Sequence, residues 1–140
     1  MASIRREVVI KVSADAIWSA VRDVGSLHTR LVAGFVTDCR LEGNARFVTF
    51  ANGVVAKELI VDVDDANRRL VWAAVGGRLT HHNASVQVFA EGLGSSRLVW
   101  IADLLPDELA PFITGMIDEG TAAMKRTLEG ASGPSAAVAT

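Results

Sequence analysis

Few side chains in this chain have the chemistry to recognise or transform a ligand, and most of them fall in two stretches. Glu58 interrupts an apolar run, VVAKELIVDV, and His81 and His82 open another, HHNASVQVF. A carboxylate facing a cavity is a candidate acid–base or hydrogen-bonding group. Strand alternation argues the other way for Glu58, because Leu59, Val61 and Val63 make the more apolar face and would turn Glu58 to water. Adjacent strand residues point to opposite faces, so at most one of the two histidines can enter a pocket. Asn83 and Ser85 share the face of His81 and could add polar contacts, which makes His81 with Asn83 the pair assigned to a ligand. Neighbouring histidines lack the i, i+4 spacing of a helical zinc pair, and His28 is the only other histidine, so neither a metal site nor a cofactor is expected. Cys39 reads as a small core residue rather than a nucleophile. No Gly-x-Ser-x-Gly elbow and no phosphate-cradling glycine loop occurs, Gly76-Gly77 being too short for one.

The elements that must position these groups are well punctuated. Residues 4–12 alternate as a strand; Ser13 is an N-cap with Asp15 in the first turn, and Ile17, Trp18, Val21 and Val24 follow at helical spacing up to Gly25. A short second helix is expected over 26–32. Six strands follow, over 35–42, 46–50, 54–63, 70–75, 79–89 and 97–104, separated by turn signals such as Gly43-Asn44 and Asn52-Gly53. Pro106 opens a long helix whose stripe includes Leu109, Phe112, Met116, Gly120 and Met124, with Asp118, Glu119, Lys125 and Arg126 opposite. Hairpin-linked strands make an antiparallel sheet and an α+β fold. A long helix laid on a strongly twisted sheet leaves a concavity that side chains or a ligand must fill.

The chain has 140 residues, half of them hydrophobic, which suits one domain with a substantial core rather than a disordered segment. The domain is expected over 1–129, with 130–140 (GASGPSAAVAT) a flexible tail, since that composition builds no amphipathic face. A net charge of −2 argues against a surface made to neutralise the phosphates of nucleic acid. A single cysteine excludes an internal disulfide, and no apolar stretch approaches the ~20 residues that span a bilayer. A cytoplasmic monomer or homodimer without membrane insertion is the expectation.

Read in order, VSADAIWSAVRDVGSLHTRL, FVTDCRLEG and KELIVDVDDANRRLVW resemble the helix-grip fold of the START and pollen-allergen superfamily. KELIVDVDDANRRLVW is particularly similar to polyketide cyclase/dehydrase-like members, and the resemblance covers residues 3–129. It implies a strongly curved antiparallel sheet, in the order β-α-α-β-β-β-β-β-β-α, wrapped around the C-terminal helix. It also implies a cavity between the two for a hydrophobic or amphipathic molecule, lipid- or polyketide-like. The family often carries an inward carboxylate at the place of Glu58, against the alternation argument. Plant hormone receptors of the same fold anchor a carboxylate with a lysine where this chain has Thr37, and their gate is here reduced to Ala51-Asn52-Gly53, which argues against a hormone-receptor role.

Trp72 and Trp100 supply aromatic walls for such a cavity, and Phe112, Met116 and Met124 supply an adaptable one, since methionine fits irregular gaps. Gly120 costs about 1 kcal/mol inside a helix and is expected to leave open space there. Three functions suit this reading: binding of the small molecule; an aromatase/cyclase or related lyase in which Glu58 or His81 moves protons; or a regulatory module whose mouth loops bind a protein. Fold alone does not choose among them.

Overall fold

The computed structural model describes residues 2–132. Seven strands form one antiparallel sheet in the order β1-β7-β6-β5-β4-β3-β2, where β1 is Ala2–Ile10, β2 Val36–Glu42, β3 Ala45–Phe50, β4 Val55–Asp64, β5 Arg69–Val75, β6 His81–Ala90 and β7 Ser96–Leu105. Between β1 and β2 lie α1 (Ala14–Arg22) and a single π-helical turn (Leu27–Leu31). After β7 the turn Asp107–Leu109 leads into the long α2 (Ala110–Ser132). This is the α+β helix-grip architecture, with strands and helices in the expected order. The last helix runs on through Ser132, past the expected end at residue 129, and the rest of the expected tail, 133–140, lies outside the described residues.

Local chemistry accounts for the helix positions. Ser13 caps α1 by accepting from the Ala16 N–H at 3.3 Å. The buried stripe of α1, Ile17, Trp18 and Val21, faces the sheet. Trp18 Nε1 and Arg22 Nε both donate to Asp65 Oδ1, at 2.9 and 2.8 Å, tying α1 to the β4–β5 turn. Those bonds, Arg22 first, hold the Asp65 carboxyl below its usual range.

From Ile117 onward α2 is fastened along one edge. Arg6 Nε reaches Asp118 at 2.7 Å, Lys125 Nζ donates to the Val9 carbonyl at 2.9 Å, and the Lys11 N–H donates to Glu129 at 2.9 Å. Ile117, Ala123, Met124 and Leu128 are buried there among Ile10, Leu98 and Leu104. Among the described residues, the first two turns of α2, before Ile117, show no such anchor to β1. Ile113 and Met116 are half-buried and Phe112 is 51% exposed. The helix is therefore pinned at one end and overhangs the concave sheet at the other, and the fold's cavity opens under that overhang.

Candidate functional site

The cavity has a volume of about 480 Å³ and lies between the concave face of the sheet and α2. Its walls are mostly apolar. Trp72 of β5 and Trp100 of β7 meet edge to face, with ring centroids 5.8 Å apart and planes at 62°. Phe35 and Phe50 make a second such pair at 5.2 Å nearer β2 and β3. Phe112, Met116 and Met124 line it from the helix. At the mouth the β3–β4 turn touches α2, with Asn52 Nδ2 3.6 Å from Met116 Sδ.

Inside this apolar shell stands one ion pair. Arg46 on β3 and Glu58 on β4 are direct cross-strand neighbours, and Arg46 Nε donates to Glu58 Oε1 at 2.8 Å. Their side chains are only 3% and 11% exposed. Arg46 Nη1 also donates to the Val24 carbonyl at 3.3 Å, and the guanidinium carbon lies 5.6 Å from the centre of the Trp72 ring. A charge in such surroundings is tolerated because its partner and added hydrogen bonds compensate for lost water. These bonds use Nε, Nη1 and Oε1. They leave Arg46 Nη2 and Glu58 Oε2 with hydrogen-bonding capacity in a pair that lines the cavity.

The inward Glu58 overturns the alternation argument. Val61 and Val63, which that argument buries, are 57% and 37% exposed, and a register shift between Ile60 and Asp62 breaks the alternation of β4. The missed signal was the register that the Asn52-Gly53 turn sets. A hairpin centred there sets Arg46 opposite Glu58, and two opposite charges across a ladder can be buried together where one cannot.

The assignment of His81 and Asn83 to the cavity is corrected. His81 is exposed and Asn83 half-buried, both on the strand face that turns away from the cavity, whereas His82 lines it. The buried residues of β6 that alternate with His82 are Ala84, Val86 and Val88, and that apolar parity identifies the inward histidine. His82 Nδ1 accepts the Ala74 N–H at 2.9 Å. Burial lowers the His82 pKa from 6.5, with neighbouring His81 acting in the same direction and Asp103 opposing. The ring is therefore neutral at pH 7, with its proton on Nε2.

Gly120 also differs from expectation. A Cβ there would lie 2.8 Å from Trp100 Cζ3 and 3.4 Å from Phe35 Cε2, so the glycine makes room for the Trp100 ring rather than for a ligand. Cys39 is half-buried, its Sγ 3.5 Å from the Val24 carbonyl, and burial raises its pKa, as suits an unreactive thiol. Among the described residues no three His, Cys, Asp or Glu side chains gather to hold a metal ion, and no helix is long and apolar enough to cross a membrane.

A curved sheet gripping a C-terminal helix over an apolar cavity invites comparison with known proteins. Residues 1–129 match the family model described as polyketide cyclase / dehydrase and lipid transport. The chain belongs to that family. Among solved structures it is similar to the protein XoxI from Bacillus cereus, with a TM-score of 0.81 at 18% identity over 91% of this chain and 96% of the other. It is also similar to a norcoclaurine synthase point mutant from Thalictrum in complex with a transition-state analogue, with a TM-score of 0.74 at 20% identity over 94% and 96%. A protein from Thermobifida fusca gives 0.75 at 24% identity over 92% and 94%. These likenesses establish the helix-grip fold of this family member. No curated protein matches the chain in sequence.

Proposed function

We propose that the protein binds a hydrophobic or amphipathic small molecule whose polar end is neutral and both donates and accepts hydrogen bonds, such as a phenol, an enol or a hydroxy-carbonyl group. The Arg46–Glu58 pair inside a mostly apolar cavity carries this reading. The pair is already neutral as a unit. A ligand carboxylate would gain Arg46 but meet Glu58, and a ligand ammonium would meet the reverse, each in surroundings where an uncompensated charge is costly. A group with one donor and one acceptor suits the spare capacity of Oε2 and Nη2 together. The apolar body of the ligand would pack against Trp72, Trp100, Phe112, Met116 and Met124. The volume is in the range of ordinary small-molecule sites.

A second reading, a cyclase or lyase on a polyketide-like substrate, is favoured by one observation: two proton-transfer groups, Glu58 and His82, line the same cavity. They do not bond to each other. Glu58 is held by Arg46 and His82 by Ala74, and both of those bonds fix geometry rather than form a relay. That arrangement suits orientation of a ligand better than shuttling of a proton. Glu58→Gln separates the two readings once a ligand is recovered from the purified protein by extraction or native mass spectrometry. A binder is expected to lose on the order of 1 kcal/mol of affinity, the usual net worth of one hydrogen bond. A turnover that falls by ~10²–10⁴ with folding intact would establish the enzyme instead.

A further inference from the structure

The register of the sheet sets the polar groups of the cavity in one row. Arg46 on β3 is opposite Glu58 on β4, and Glu58 is opposite Ala74 on β5. Regular pairing of β5 with β6 stops at Trp72 and Ala84; two residues further along, the Ala74 N–H donates to the His82 ring at 2.9 Å. All four residues of the row line the cavity. Strands β4 and β5 lie about 5 Å apart, and the imidazole stands within hydrogen-bond reach of β5. Glu58 and His82 therefore flank Ala74, and only a methyl group rises from the strand between them. The two sides of that gap offer different chemistry. The ion pair keeps a donor, Arg46 Nη2, and an acceptor, Glu58 Oε2. His82 spends Nδ1 on Ala74, and burial keeps the ring neutral, so its remaining nitrogen, Nε2, can only donate. Among the described residues nothing accepts from it.

We infer that His82 Nε2–H is a second point of attachment in the cavity, and that the ligand bridges Ala74 with two oxygens. One belongs to the donor–acceptor group held by Arg46 and Glu58. The other accepts from His82 and is a carbonyl, ether or hydroxyl oxygen placed across one six-membered ring, or an equal length of chain, from the first. The inference rests on the ligand-binding reading and adds to it a specificity-determining residue and the chemistry that residue selects. One polar contact leaves a ligand free to turn within apolar walls, whereas two fix its orientation. A second ligand group able only to donate would meet the imidazole N–H donor against donor and leave both unpaired, which disfavours it. Ala74 completes the arrangement, since a larger side chain there would fill the space that the bridging part of the ligand occupies.

The test displaces Nile red, a neutral apolar dye, from the intact protein with three competitors: meta-hexylphenol, the same molecule with a second meta hydroxyl, and the mono-methyl ether of that diol. The two dioxygenated molecules should act at roughly fivefold lower concentration than the phenol, the gain from one ordinary hydrogen bond. The ether is the critical member, because its second oxygen can only accept and so cannot owe its gain to Glu58. His82→Phe keeps an aromatic ring without the N–H and should erase the difference among the three; His81→Gln, on the outer face, should retain it. A measurement on the unmodified protein needs no variant to fold. Ring ¹⁵N shifts should show the Nε2–H tautomer, and that proton should move downfield with the diol and the ether but not with the phenol. An Nδ1–H tautomer, or the same gain in a folded His82→Phe protein, would overturn the inference. Equal displacement by all three molecules sinks the inference alone, and failure of all three to displace the dye sinks the ligand-binding reading and the inference with it.

Discussion

Arg46→Met is expected to lower the unfolding free energy by about 3–5 kcal/mol, the cost of stranding one member of a buried ion pair. Glu58 would keep its place on β4 with its side chain 11% exposed and its hydrogen bond from Arg46 gone. A domain's whole stability is roughly 5–15 kcal/mol, so the urea midpoint should move far. Replacing both residues, Arg46→Met with Glu58→Leu, should restore most of the loss, because an apolar pair of similar volume needs no compensation. The contrast carries the test. If the double variant is as unstable as the single one, the pair is not the cause; if the single variant is as stable as the parent, solvent in the cavity already screens Glu58.

Gly120→Leu should damage both the fold and the cavity. Leucine gains about 1 kcal/mol of helix propensity, but the Cβ alone would lie 2.8 Å from the Trp100 ring. Overpacking of this kind costs about 1–3 kcal/mol. The half-buried ring lines the cavity, and the direction open to it is into that space. Stability, Nile red binding and the near-ultraviolet signal of tryptophan should therefore all change together. Lowered dye binding with an unchanged melting temperature would mean that the ring yields freely and that Gly120 borders the ligand after all.

Much of the architecture was written in local signals. Ser13 with Asp15, the Asn52-Gly53 turn and the stripe from Leu109 to Leu128 each act within a few residues, and each formed the element it implied. The site was harder to read because its polar groups are chosen by register between strands. Alternation counts apolar residues on each face of β4 and so favours Val61 and Val63; it takes no account of an arginine directly opposite Glu58 on β3. His81 was preferred for its polar neighbours Asn83 and Ser85, but polar neighbours mark the outer face, and Ala84, Val86 and Val88 mark the inner one. Gly120 was read as space toward a ligand when the space belonged to Trp100, a partner distant in sequence.

The central claim is that the cavity selects an apolar body with a neutral donor–acceptor end. Its most direct test is competition against bound Nile red by three molecules with the same alkyl chain, one ending in a phenol, one in a carboxylate and one in an ammonium group. The phenol should displace the dye at roughly tenfold lower concentration than either ion, about the 1.4 kcal/mol that one well-made hydrogen bond can supply. That advantage should vanish in the Arg46→Met, Glu58→Leu variant while the dye still binds. Equal displacement by all three molecules, or an undiminished preference for the phenol in that variant, would contradict the account.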